Sequence, residues 1–594
     1  MNQSNILSYF VVFLLGLLGL RLFQLQILEH DKFQTLAKNN SSRTAITLAP
    51  RGVIYDRNDE VLATSKQSLS IVVYANKLKT QVEKDSVIEA LVKLVDLPKE
   101  QIEEIINKID PSTPLPIAVD NNISIETAIK IFENSKELPA IGVQEQAIRF
   151  FPHNEIGAHL LGYVGQISEN ELKEGRSRGL TMGDIVGKDG VEKVCDETLQ
   201  GIKGEARVAV DRFGKSLNKS DRDQLVIRKA IKGGDLHLTI DQKLQEIAQR
   251  ELGERMGAVI AMNPKNGEIY CMVSSPSYDP NIFTKPVPYD TFNELMKRKA
   301  FINRSIHAFT PGSIWKPFTA LAGLEHGVVK EDEKLAVSGA IYFGGFKFGD
   351  WTNATGSMDL TEAIAWSRDT YFYQIAKRMR PEWIAELARK FGGDEKTGVE
   401  VLGEYKGIIP DPAWKEKTWG EPWYPGNTLH YAIGQSFLLV TPIQVAKMFS
   451  GFANEGYTAQ PHVVKDPDKE YLTKIENVSL TNIRKVKKGL EACVDHGTGG
   501  ASRFEEIKVA GKTGSAEVHG YAHTTHGWFA AYAPVEDPQI VVVVFVEGGG
   551  HGGSVAAPIA RKIFEEFFEL NKASQITQAP ETIKPTQGEA LTAQ

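Results

Sequence analysis

A chain of 594 residues is well past the size at which one hydrophobic core stops growing, so several domains are expected. Its 42% hydrophobic and 24% charged residues, with 52 Gly and 27 Pro in no periodic run, exclude wholesale disorder and a fibrous protein. A net charge of −7 argues against a nucleic-acid partner, and three scattered cysteines, Cys195, Cys271 and Cys493, build neither a disulfide framework nor a zinc ribbon.

The first element is Ile6 to Leu28, 23 residues whose one charged member is Arg21 near one end. At about 1.5 Å per residue it crosses a hydrocarbon core of about 30 Å as a helix. Arg21 can snorkel to the headgroups. No small-residue cleavage site follows, and the run exceeds the ~7–15 apolar residues of a signal-peptide core, so an uncleaved signal anchor is expected behind a cytoplasmic N-terminus of residues 1–5. Lys32, Lys38, Arg43 and Arg51 follow the span and no basic residue precedes it. Charge counting alone therefore favours the opposite orientation, and the catalytic motifs must decide it.

Residues 29–235 mix short strand-like runs, such as Ser70 to Tyr74, with amphipathic helices over Val87 to Val95 and Gln101 to Ile109, and a polar turn region, Asp211 to Asp223. The texture changes at Leu236: a strand, an amphipathic helix over Gln242 to Leu252, then a hairpin turning at Asn266-Gly267. A domain boundary is placed there, with a second domain over 236–572 and a Thr-, Gln-, Ala- and Pro-rich disordered tail over 573–594. Ile540 to Val546 is too short for a bilayer and suits a buried strand.

The chemistry sits in the second domain. Pro311-Gly312-Ser313-Ile314-Trp315-Lys316 opens a helix, and a spacing of three puts Ser313 and Lys316 on one face. A serine hydroxyl needs a base, and a desolvated lysine beside another cation loses its proton readily enough to serve. A second S-x-x-K, Ser216 to Lys219, lies in a polar stretch that cannot bury its lysine and reads as a solvated turn. Ser367-Arg368-Asp369 follows the amphipathic Leu360 to Trp366. Lys512-Thr513-Gly514 has the small-residue texture of a strand lining a cleft, whereas the copy Lys396-Thr397-Gly398 reads as a loop.

The ordered series S-x-x-K, S-x-[ND], K-T-G resembles that of the penicillin-binding proteins. With Arg51 to Asn58, Leu62-Ala63, Arg149 to Gly165, Gly187 to Gly204, Asn303-Arg304, Ala432 to Gln435, Thr441-Pro442 and Gly527 to Phe529, the chain is similar to the class B members. The resemblance is greatest to the penicillin-binding protein 2 group of the cell-elongation machinery. Asp59 stands where that group usually has glycine.

The resemblance implies an α/β (α+β type) transpeptidase fold: a five-stranded antiparallel sheet between helices, an elongated pedestal domain before it, and one transmembrane helix. It implies that Ser313 attacks a D-Ala-D-Ala carbonyl, Lys316 takes the serine proton, and Ser367 and Asp369 hold Lys316 and relay protons. Lys512 supplies positive potential, Thr513 bonds the substrate carboxylate, and Gly514 leaves room for substrate along the strand edge. The backbone N–H groups of Ser313 and Ser515 form an oxyanion hole, worth roughly 3–4 kcal/mol per donor.

Lipid-linked stem peptides are the implied substrates and β-lactams the implied inhibitors. A RodA-type polymerase and MreC are the implied partners, at a bacterial inner membrane with the catalytic domain in the periplasm. No cofactor is implied. A hydrolase, either D,D-carboxypeptidase or β-lactamase, and a non-enzymatic sensor are the alternatives.

Two metal readings fail on their residues. His519, His523 and His526 are interrupted by Gly520 and read as a loop beside the cleft. Some members of the group carry a structural zinc after an Asp-Trp and inside the second motif. Asp350-Trp351 is present here, but Gly356 and Arg368 stand where His and Cys ligands are wanted.

Overall fold

The computed structural model describes residues 3–32, 42–47, 49–95, 97–109, 116–121, 123–175, 179–181, 183–209, 225–466, 469–517 and 524–570. The polar Asp211 to Asp223 region with Ser216 and Lys219, the residues His519 and His523, and the 573–594 tail lie outside the described residues. An α-helix over Gln3–Phe23 continues as a π-helical turn over Gln24–Leu28. Its Tyr9–Leu28 stretch is long and apolar enough to cross a membrane, and none of it is buried among the described residues.

In the first domain the long strand Val61–Val73 pairs with Ile54–Tyr55, Ile117–Asn121 and Ile141–Phe150. Helices Gln81–Leu91 and Lys99–Lys108 bury Ile88, Leu91, Ile102 and Ile106 against this sheet. The first helix starts earlier than its apolar periodicity predicts, because Thr80 and Glu83 form a capping box that satisfies its free N–H groups. Asp59 adopts a positive φ of 66° in the turn between Tyr55 and Val61, the conformation for which glycine is ordinarily chosen. The Asp56 carboxylate steadies that turn by accepting from the backbone of Asn58 at 2.7 Å and Glu60 at 2.8 Å.

The three motif segments of this domain meet through charge. Arg51 donates to Glu192 at 2.7 Å and to Asp196 at 2.9 Å, while Arg149 pairs with the same Glu192 and donates to the Gly52 carbonyl at 2.6 Å. All four side chains are nearly inaccessible, so each charge depends on its partners for the solvation it has lost. The seam with the second domain runs through a strand: Leu236–His237 pairs in parallel with Ile54–Tyr55. By its pairing this stretch belongs to the first domain's sheet, slightly beyond the boundary that the change of texture suggests.

The second domain is built on five antiparallel strands in the order Ile269–Ser275, Gly257–Met262, Ile540–Val546, Thr525–Ala533, Ala510–Glu517. Every residue of the central Ile540–Val546 strand is buried. Val541, Val543 and Phe545 face one core, and Ile540, Val542, Val544 and Val546 face the other. Such a strand shows no apolar–polar alternation because both of its faces are covered. Helices Gln242–Leu252 and Ala557–Phe567 cover one face. Among the helices on the other is Lys316–Glu325, which carries the first motif. Ala510–Glu517 is left at the sheet edge, against the turn Gly312–Trp315 that leads into that helix.

Candidate active site

Ser313 lies in a 3-10 turn, Gly312–Trp315, that runs directly into the α-helix beginning at Lys316. In a 3-10 turn residues three apart eclipse one another, so the S-x-x-K spacing aligns both side chains. Gly312 makes the turn possible with a φ of 58°, and its N–H donates to the Gly434 carbonyl at 2.9 Å. Ser313 itself is half-buried, while Lys316 is fully buried.

The second motif joins two helices, Leu360–Ala365 and Asp369–Ala376. Ser367 is held at a φ of 54°, a sparsely populated conformation for a serine. That bend turns both ends of the motif onto Lys316, whose Nζ donates to Ser367 O at 2.6 Å, Ser367 Oγ at 3.2 Å and Asp369 Oδ1 at 2.7 Å. Burial pushes the Asp369 carboxyl up, opposed by the nearby charges of Lys316 and Lys512.

The third motif lies on the edge strand. Lys512 is fully buried and donates to the Thr513 carbonyl at 3.1 Å. Burial pushes its ammonium down to about 8, helped by the charge of Lys316 and countered by Cys493 and Asp369. A Cβ on Gly514 would sit 2.9 Å from Pro311 O and 3.0 Å from an Ile314 methyl. Gly514 therefore makes room for the turn that carries Ser313. Trp528 on the neighbouring strand locks the same contact by donating to Thr310 O at 3.0 Å.

The structure thus brings Ser313, Lys316, Ser367, Asp369, Lys512, Thr513, Gly514 and Ser515 to one seam between the edge strand and two helix starts. It adds residues that sequence reasoning overlooked. The Thr498 and Thr513 hydroxyls lie 2.6 Å apart, and Thr498 also accompanies Cys493 at 3.4 Å. Ser515 Oγ lies 3.2 Å from His551 Nδ1. The small-residue turn at residues 497–500 after an amphipathic helix, and the glycines flanking His551, were the available signals. His526, read as part of a loop, is in the strand Thr525–Ala533, opposite Ala516. Its Nδ1 accepts from Gly548 N at 3.1 Å, and burial holds its pKa down. Lys396 to Gly398 is a loop in which the Thr397 hydroxyl donates to the Glu404 carboxylate at 2.7 Å.

Comparison with known proteins bears on the same segments. Residues 257–565 match the model of the penicillin-binding protein transpeptidase domain, and residues 46–238 that of the penicillin-binding protein dimerisation domain. The chain belongs to the penicillin-binding protein transpeptidase family. It is 32% identical to the peptidoglycan D,D-transpeptidase MrdA of Acinetobacter baumannii over 96% of this chain and 88% of that protein. With MrdA of Escherichia coli K12 the identity is 27% over 94% and 92%. A solved complex between the penicillin-binding protein PBP2 and MreC from Helicobacter pylori matches 89% of this chain and 100% of the solved one, with a TM-score of 0.77 and 29% identity. A solved peptidoglycan synthase complex that coordinates polymerisation and crosslinking matches 96% and 99%, with a TM-score of 0.70 and 30% identity. The two matched segments fall on the first and second domains described above.

Proposed function

We propose that this penicillin-binding protein is a serine D,D-transpeptidase that cross-links peptidoglycan stem peptides, with Ser313 as nucleophile and Lys316 as its base. The observation that carries this assignment is the ring of Ser367 O, Ser367 Oγ and Asp369 around a buried Lys316 one 3-10 turn from Ser313. Ser313 Oγ bonds to the penultimate D-Ala carbonyl carbon as its proton passes to Lys316. The carbonyl oxygen gathers charge toward the N–H groups of Ser313 and Ser515. The C–N bond then breaks, and the departing D-Ala amine takes a proton through Lys316, Ser367 and Asp369.

An acceptor amine attacks the acyl-enzyme, its proton returns by the same route to Ser313, and an amide cross-link replaces the ester. Lys512 and Thr513, the latter steadied by Thr498, hold the terminal carboxylate. The open edge of Ala510–Glu517 offers a stem peptide a strand to pair with. One N-terminal apolar helix supports a site at the outer face of a bacterial inner membrane, and the solved relatives in complex with MreC and in a peptidoglycan synthase complex support MreC and a RodA-type polymerase as partners.

The test is mass spectrometry after exposure to a penicillin. One adduct on Ser313 is expected, absent from Ser313→Ala. Lys316→Arg is expected to fold and remain unmodified, because a guanidinium does not surrender its proton. An adduct elsewhere, or one surviving in Ser313→Ala, overturns the assignment.

A further inference from the structure

Arg368, the middle residue of the second motif, is turned away from Lys316 into the protein. Its side chain is 2% exposed, and that of its partner Asp350 is 0% exposed. Arg368 Nε lies 3.3 Å from Asp350 Oδ2, and Nη2 donates to Ala354 O at 2.7 Å and Ser338 O at 3.2 Å. The same Asp350 oxygen accepts from Thr370 N at 2.9 Å and Thr370 Oγ1 at 2.8 Å. Trp351 Nε1 then donates to Trp366 O at 3.2 Å. Asp350-Trp351 thereby grips the chain immediately before Ser367, at Trp366, and immediately after Asp369, at Thr370.

This is the place where some relatives are expected to hold a structural zinc. The residues here do not fit one: a guanidinium already contacts the only acidic side chain of that set, and Gly356 offers no ligand.

We propose that the Arg368–Asp350 pair is the positioning element of the second motif, a metal-free clamp that keeps Ser367 in its left-handed conformation and Asp369 on Lys316. Ser367 cannot relax toward a commoner conformation without pulling Trp366 or Thr370 from the loop at residues 350–354. Arg368 also offsets a charge that matters to the site. The Asp350 carboxylate pushes Asp369 up, whereas Lys316 and Lys512, the cations facing Asp369, pull it down. Burial pushes up the Tyr373 hydroxyl on the same helix as Asp369, and the charges of Asp369, Asp350 and Glu517 add to this. This inference rests on the transpeptidase reading only in taking Lys316 as the base. The Ser313→Ala experiment tests that reading separately.

The measurement is β-lactam acylation of the full chain in detergent, with binding and the chemical step resolved by stopped flow across pH. In Arg368→Met the chemical step is expected to slow at least ten-fold with β-lactam binding within two-fold. The acid limb of its pH profile should move up, because Asp350 is left uncompensated. In the double variant Asp350→Asn, Arg368→Met the limb should return, since no buried charge is left unpaired. Arg368→Lys keeps the charge but loses the fork, so it should slow the step without moving the limb. A chelator should leave the wild type unchanged.

A wild-type chemical step in Arg368→Met overturns the proposal, as does chelator-sensitive wild-type acylation. Losses that follow only the unfolded fraction in melting curves, with no change in the pH profile, overturn it equally. If Arg368→Met does not fold, the double variant and Arg368→Lys decide on the same criteria.

Discussion

Lys512 occupies a dry corner whose other charges are Lys316 and Asp369, and its ammonium titrates near 8 where a free lysine titrates at 10.5. At neutral pH it is mainly charged, which suits a group that attracts a carboxylate. Acylation by a carboxylate-bearing β-lactam should therefore fall as pH rises through about 8, and Lys512→Arg should flatten this alkaline limb while keeping part of the activity. Stability runs the other way. The folded state gives up this proton more easily than the unfolded chain, so between about 8 and 10.5 the unfolded chain binds more protons, and Lys512's contribution to stability rises with pH. Melting temperatures at pH 7 and pH 9 separate the effects: a limb caused by unfolding would show a lower melting temperature at pH 9. Ser313, Lys316 and the two other motifs were legible in the sequence because each is a short pattern in one segment. Thr498 was not, because its partner Thr513 lies on a different element and nothing local marks the meeting.

At the scale of elements, the edge strand and the nucleophile turn form one mechanical unit. Gly514 faces Pro311 and Ile314, and Trp528 ties the next strand to Thr310. Gly514→Ala should push the strand away from Ser313 without exposing either core. The expected result is a fall in acylation of about ten-fold or more with the cooperative melt retained, measured by β-lactam trapping beside calorimetry. Unchanged acylation would show that the strand and the turn move independently. The strand Ile540–Val546 and the helix Gln242–Leu252 could be read from pattern alone, because burial and amphipathicity leave a periodic trace. The role of Gly514 could not, since a missing side chain does not say which neighbour occupies its space. Nor could that of Arg368, which stands at a position whose identity the motif leaves open.

At the scale of the molecule, the buried cluster of Arg51, Arg149, Glu192 and Asp196 explains why three distant pedestal segments must keep their charges. The segments themselves could be picked out in the sequence. Their convergence on Glu192, across 141 residues from Arg51, could not. Glu192→Gln leaves two guanidinium groups short of a partner in a dry site and should cost about 3–5 kcal/mol of pedestal stability. Because the catalytic seam contains no pedestal residue, trapping of a β-lactam at Ser313 should persist while the pedestal melts at a lower temperature. Parallel loss of both would mean that the two domains fold as one cooperative unit.

The same separation sets the expectation for the anchor. None of the Tyr9–Leu28 stretch is buried among the described residues, and the three motifs lie after residue 300. A chain lacking residues 1–28 should be soluble and should acylate at Ser313 at close to the full-length rate. It should nevertheless fail to support cell shape, because tethering in the plane of the membrane supplies an effective concentration beside a polymerase that a freely diffusing domain lacks. Replacing Ile6 to Leu28 with an unrelated apolar helix restores the tether, so recovery of shape would assign the span to location, and continued failure would assign it a direct contact with the partner. Full complementation by the truncated chain, or a truncated chain that cannot be acylated, would contradict this division between anchor and chemistry.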